Sequence, residues 1–308
     1  MNYWFSSRLC LATLALLFAG GLATSTFAAE THDAGAHAEH HTLPLKAPEL
    51  FHLGKFVVTN SMLVTWVVAA GLIIFAQMAT RNIKAVPDGK QNFLEWLVES
   101  LYTFLGNVIG PELVKRTFWF FATTFIFILF LNWFGLIPGV GTIGWGHSNP
   151  ETGSFVVERP LLRGANADLN LTFAMASVFF ALWIVWAIQM NGVGGVLVHI
   201  FGPKGETSGI LKVLMLGIFF VVGILEVISI LFRPISLSFR LFGNIYAGEV
   251  MLESMAVVVP ALAWLIPIPF YFLELLVGLV QALVFMLLTG VFTLLIAPHP
   301  PGPEGSHH

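Results

Sequence analysis

Cysteine occurs once in 308 residues, at Cys10, which excludes an intrachain disulfide framework and any multi-cysteine metal centre. Charge is scarce as well. Asp, Glu, Lys and Arg make up 10% of the chain against 57% hydrophobic residues, too little polar surface to cover a soluble globule. The net charge of −3 and the lack of any basic tract leave nothing to attract nucleic acid. There is no G-x-x-x-x-G-K-[ST] phosphate loop and no acidic metal cage, so no cofactor or metal site is expected and the chain by itself is not expected to be an enzyme. An intramembrane hydrolase needs a base beside its nucleophile, and no histidine stands at the depth of Ser229, Ser236 or Ser238. A self-contained secondary transporter usually shows two related halves, and no internal repeat is visible.

Long apolar runs fill most of the remainder. The expected fold class is all-α: a polytopic membrane protein with about five membrane helices and one amphipathic interfacial helix, the last two membrane helices long and strongly tilted. By the length a bilayer requires, the spans fall at about 58–80, 117–137, 169–190, 213–258 and 270–296, within a single membrane domain, 58–297. Residues 213–258 exceed what a perpendicular crossing needs, so this stretch must tilt or kink, and Pro234 removes one backbone hydrogen bond inside it. Residues 91–109 place Phe93, Trp96, Leu97, Leu101, Phe104 and Leu105 at helical intervals, the pattern of an amphipathic helix along the membrane or against a neighbour. The aromatic-rich run 117–137 is expected to face lipid, 141–163 to be an irregular loop, Gly192, Gly194 and Gly195 to break a helix, and Pro260, Pro267 and Pro269 to form a turn.

Residues 1–28 read as a signal peptide, with Arg8 before a short apolar core and small residues, Thr26 and Ala28, at the −3 and −1 positions; an uncleaved first span is the alternative. The polar stretch 29–57 carries His32, His37, His40, His41 and His52, read either as a solvated tail or as a weak metal site without regular ligand spacing. Arg81, Lys84, Lys90, Lys115, Arg116, Lys204 and Lys212 mark the cytoplasmic side; Lys46, Lys55, Arg159 and Arg163 fall outside. The N-terminus is therefore expected outside and the tail 298–308 in the cytoplasm.

The most informative charge is Arg240, near the middle of an apolar segment, where an arginine costs roughly 2.5–3.5 kcal/mol on insertion scales. At about 100° per residue, Glu226, Arg233, Ser236, Arg240 and Asn244 lie within roughly 40° of one line. Glu249 and Glu253 point to roughly the opposite side and need another partner, for which the following helix offers Glu274 and Gln281, again on one face. Glu226 and Arg233 alternatively neutralise each other. Asp168 and Asn170 stand at the start of a span, where Asp168 either caps the helix or lies at an outer ion entrance.

The run PISLSFRLFGNIYAGE, followed by a helix bearing Glu274 and Gln281 and then ALVFMLLT, closely resembles subunit a, the stator channel subunit of the rotary F-type ATP synthase. The pieces LNWFGLIPG (131–139), NADLNLT (166–172) and MNGVGG (190–195) resemble the same family, in its order. The resemblance implies a proton-translocating subunit, or its Na⁺-translocating version, of a bacterial inner membrane. Its partners would be a c-ring, the b subunits of the peripheral stalk and membrane lipid. It further implies two offset aqueous half-channels, with Arg240 separating them and driving deprotonation of ring carboxylates. Asn244, Glu249, Glu274 and Gln281 match positions lining the outer half-channel, with Gln281 near the arginine; Glu226 and Ser236 match the cytoplasmic one. Some family members carry histidine where Glu274 stands.

Overall fold

The computed structural model describes residues 47–53, 56–148, 155–202, 210–258 and 265–297. The expected leader, most of the histidine-containing tail, Lys204, Pro260 and the C-terminal tail 298–308 lie outside the described residues. In chain order come β1 (Glu49–Leu53), β2 (Phe56–Thr59), α1 (Asn60–Thr80), α2 (Gly89–Ile109), α3 (Pro111–Gly135), β3 (Gly144–Ser148), β4 (Phe155–Pro160), a 3-10 turn (Ala165–Ala167), α4 (Leu169–Phe201), α5 (Ile210–Val258) and α6 (Pro267–Ile296). Five helices, all but α2, are long and apolar enough to cross a membrane. The protein is an all-α multi-pass membrane protein.

Helix α3 is the most enclosed span. Phe120, Phe121, Phe127, Ile128 and Leu131 are fully buried in it, and the Phe120 ring stacks on Phe179 of α4 at 6.3 Å while Trp186 meets both Phe120 and Phe121 edge-on. The expected lipid-facing orientation of these aromatics is thus corrected: apart from exposed Phe130 and Trp133, the run packs inward. Lipid and protein interior are equally apolar, so composition alone does not tell the two surroundings apart. Around α3, the core is completed by Val64 of α1, Leu105 of α2, Met175 of α4, Leu241 of α5 and Phe285 and Met286 of α6.

Several boundaries differ from expectation for local reasons. Helix α3 begins six residues earlier than 117, because Gly110 at φ 84° breaks the chain after α2 and Pro111 restarts it at a first-turn position, where its missing N–H costs nothing. The α2 face that packs inward is Leu97, Leu101, Leu105 and Ile109; Phe93, Trp96 and Phe104 remain exposed. Residues 144–148 and 155–160 form an antiparallel hairpin where an irregular loop was expected, with an irregular register beside Gly146, and β1 pairs with β2 in a second hairpin.

Gly192 takes φ 69° and ψ 164°, a left-handed, non-helical conformation that suits glycine, so the expected break falls here as a kink, after which helix resumes to Phe201. Asn191 ties the bend to the end of α6 by donating to the Ile296 carbonyl at 2.8 Å. Helix α5 runs 49 residues through Pro234. At about 1.5 Å per residue it spans about 74 Å, more than twice the apolar thickness of about 30 Å and more than a perpendicular crossing needs. It is also the least covered span, with Phe220, Leu225, Ile228, Leu231, Phe232, Ile235 and Phe239 all exposed.

Candidate functional site

The polar face of α5 meets α6 at Asn244. Asn244 donates its side-chain amide to Oε1 of buried Gln281 at 2.6 Å. One turn further along α5, and two turns back along antiparallel α6, the Glu274 carboxylate lies against the backbone of Gly248, where any Cβ would collide with it. Glu274 is 3% exposed, and its Oε1 has no hydrogen-bond partner. Of the stripe expected along α5, Asn244 reaches the polar face of α6, through Gln281, while Glu274 is seated on Gly248 and not on a polar side chain of α5.

Helix α6 is held in that rotation from behind. Asn132 donates to the Gly278 carbonyl at 2.9 Å, and Trp133 to the Leu275 carbonyl at 3.2 Å, both from α3. These two carbonyls lie between Glu274 and Gln281, so α3 fixes the side of α6 that faces α5. Asn132 in turn accepts from Asn166 at 2.6 Å, linking α3 to the 3-10 turn.

Glu249 has its partner elsewhere than expected. Its Oε2 accepts from Nε of Arg163 at 3.2 Å, and both side chains are largely buried, at 5% exposure for the arginine and 16% for the glutamate. The other oxygen lies over Gly164, where a Cβ would strike it. Helix α6 does not supply the cation for Glu249; the segment entering the 3-10 turn does. In sequence Arg163 reads as an ordinary loop cation, and only the fold brings it inward.

Arg240 is exposed on α5, and among the described residues no carboxylate lies within salt-bridge distance of it. Ser236 is exposed on the same helix and Glu226 half-buried. Arg233 does not close an ion pair with Glu226: its guanidinium lies over the Phe292 ring at 4.6 Å and the Trp183 ring at 5.6 Å. Asp168 has capping geometry, with Oδ1 accepting from the Asn170 backbone N–H at 2.9 Å and Oδ2 from Ser61 of α1 at 2.5 Å. Asn170 contributes that N–H from the first turn of α4.

A family model described as ATP synthase A chain matches residues 62–293. The chain belongs to the ATP synthase subunit a family. Similar proteins include ATP synthase subunit a of Moorella thermoacetica, 32% identical over 241 residues covering 78% of this chain and 92% of that one. The subunit a of Gloeobacter violaceus is 32% identical over 233 residues, 76% of this chain and 81% of its own. ATP synthase subunit a 3 of Pelobacter propionicus is 34% identical over 228 residues, 74% of this chain and 83% of its own. The region matched to the subunit a family contains Asn132, Arg163, Asn166 and Gly248, none of which spacing or periodicity selected. The signal that would have found Arg163 is weak: a single arginine five residues before an aspartate that begins an apolar helix.

Proposed function

We propose that this chain is the proton-translocating stator subunit of a rotary ATP synthase membrane sector, in a bacterial inner membrane with its N-terminus outside and its C-terminus in the cytoplasm. It works beside a c-ring and is held by peripheral-stalk b subunits; nucleotide chemistry belongs to other subunits. The observation that carries the reading is Arg240: a guanidinium exposed midway along the least covered membrane helix, with no acid within salt-bridge distance among the described residues. An unpaired charge facing lipid is costly. A carboxylate on a neighbouring, moving subunit removes that cost. At about 4 Å and an effective dielectric of about 20, such a pair gains roughly 4 kcal/mol, enough to favour proton release from the ring site while still allowing it to leave in a hydrated setting.

Asn244, Gln281, Glu249 and Glu274 line the outer half-channel, Glu226 and Ser236 the cytoplasmic one, and Arg240 blocks a direct leak between them. Lysine substitutes poorly for Arg240, since it deprotonates when buried and lacks the planar fork. The test is Arg240→Ala in membranes carrying the complex. The expected result is loss of gradient-coupled ATP synthesis with c-ring and stalk subunits still co-purifying; normal coupled synthesis overturns the mechanism, and a lone active protein overturns the assignment.

A further inference from the structure

Arg163 and Glu249 are 86 positions apart in sequence, yet they form an ion pair in which both side chains are mostly withdrawn from solvent. Three features define its geometry. The arginine Nε addresses one carboxylate oxygen, Oε2. The Gly164 backbone abuts the other oxygen and leaves no room for a side chain. The guanidinium lies 5.9 Å from the ring centre of Tyr246, one helical turn before Glu249 on α5. The carboxylate is thus held between a cation and a bare stretch of backbone, both supplied by residues 163–164. That segment is itself anchored. Its neighbour Asn166 is bonded to Asn132 of α3, Asp168 to Ser61 of α1, and the Gly135 backbone comes so close to Gly164 that a Cβ there would lie 2.9 Å from its Cα.

A buried charge pair adds little net stability compared with apolar packing, and losing one partner strands the other. Its retention here fits a device for placing a charge more than for gluing helices. Gly248, the residue before Glu249, is the seat of Glu274. Fixing Glu249 therefore also fixes the backbone on which the second carboxylate rests.

We propose that Arg163 is a positioning residue of the ion route: it clamps the Glu249 carboxylate against Gly164 and so holds the paired acids Glu249 and Glu274 in register for ion passage. This rests on the reading above that Glu249 lies on the outer half-channel.

The experiment measures ATP-driven proton pumping in membrane vesicles carrying the whole complex, normalised to assembled complex, for Arg163→Gln, Arg163→Lys, Glu249→Gln and the double Gln variant. Arg163→Gln is expected to slow pumping about tenfold, a size within the usual range for coupled neighbours. Arg163→Lys should restore most of the rate by keeping a cation, and the double variant should be no slower than Glu249→Gln alone. Unchanged pumping in Arg163→Gln, or Gln effects that multiply independently, overturns the proposal. If Glu249→Gln leaves pumping unchanged, the half-channel reading fails; if Glu249→Gln slows pumping and Arg163→Gln does not, only the positioning role fails. Should Arg163→Gln not assemble, Gly164→Ala tests the same clamp with the arginine intact: a slowed, assembled complex supports it and an unchanged rate overturns it.

Discussion

The Asn244 side-chain amide donates to Oε1 of Gln281 at 2.6 Å, and this bond sets the register in which the polar faces of α5 and α6 meet. With that register, Gly248 arrives opposite Glu274. A slip of one residue along α5 would turn the face by about 100° and separate both contacts.

Replacing Asn244 with Leu leaves the buried Gln281 carbonyl oxygen without its donor. The expected cost is about 0.5–2 kcal/mol, given the modest worth of interhelical hydrogen bonds in membranes. Thermal unfolding of the detergent-solubilised complex measures it. Asn244→Leu combined with Gln281→Leu should recover most of that stability while proton pumping stays low; recovery of pumping in the double variant would remove both amides from the route.

Gly248→Ala places a methyl group where the Glu274 carboxylate sits. The carboxylate must move, and pumping is expected to fall about tenfold, since a misplacement near 1 Å can cost up to about a hundredfold. Adding Glu274→Asp withdraws the carboxylate by about one carbon–carbon bond and should restore part of the rate. A Gly248→Ala complex that pumps normally would show that the position of Glu274 does not limit flux.

Much of this arrangement was legible beforehand, because an apolar run of sufficient length, the 3.6-residue period and the flanking lysines and arginines each have a direct physical cause in the bilayer. That Asn244 lies on a polar stripe of α5, and that Glu274 and Gln281 share one face of α6, followed from that period; that Gln281 meets Asn244 and not Glu249 did not. Facing direction did not. The aromatics of α3 point inward although nothing in their composition separates lipid from protein interior, and Arg163 looked like a loop charge because its burial depends on a contact with a residue far along the chain. The hairpin at 144–148 and 155–160 was hidden for a similar reason: one irregular register step beside Gly146 disrupts the alternation that would have marked it.

Asn132 serves two partners at once, donating to the Gly278 carbonyl and accepting from Asn166. Asn132→Leu keeps the branched shape of the side chain but strands the buried Asn166 amide, so a loss of about 1–3 kcal/mol is expected. The yield of folded protein and its unfolding temperature in detergent check this. Because α6 is then held from α3 by the Trp133 bond without that of Asn132, pumping should fall by more than the loss of folded protein accounts for; a proportional fall would make Asn132 purely structural.

Asp168 separates two roles that its position alone does not. Its Oδ1 accepts from the Asn170 N–H at the start of α4, and its Oδ2 from Ser61, so the observed geometry is that of a cap tied to α1. A cap needs an acceptor, not a charge. Asp168→Asn retains a carbonyl oxygen for the Asn170 N–H, and should hold stability to within about 0.5 kcal/mol, whereas Asp168→Ala removes both acceptors and should cost about 1–2 kcal/mol. If capping is the whole role, Asp168→Asn complexes pump at the normal rate and Asp168→Ala complexes lose activity only in step with folded protein. If the carboxylate also serves the ion entrance, Asp168→Asn pumps slowly at undiminished stability, because an amide neither takes up nor releases a proton in this range. Unfolding temperature and pumping rate, measured on the same two preparations, therefore give different patterns for the two roles, and the bonds to Ser61 and Asn170 favour the first.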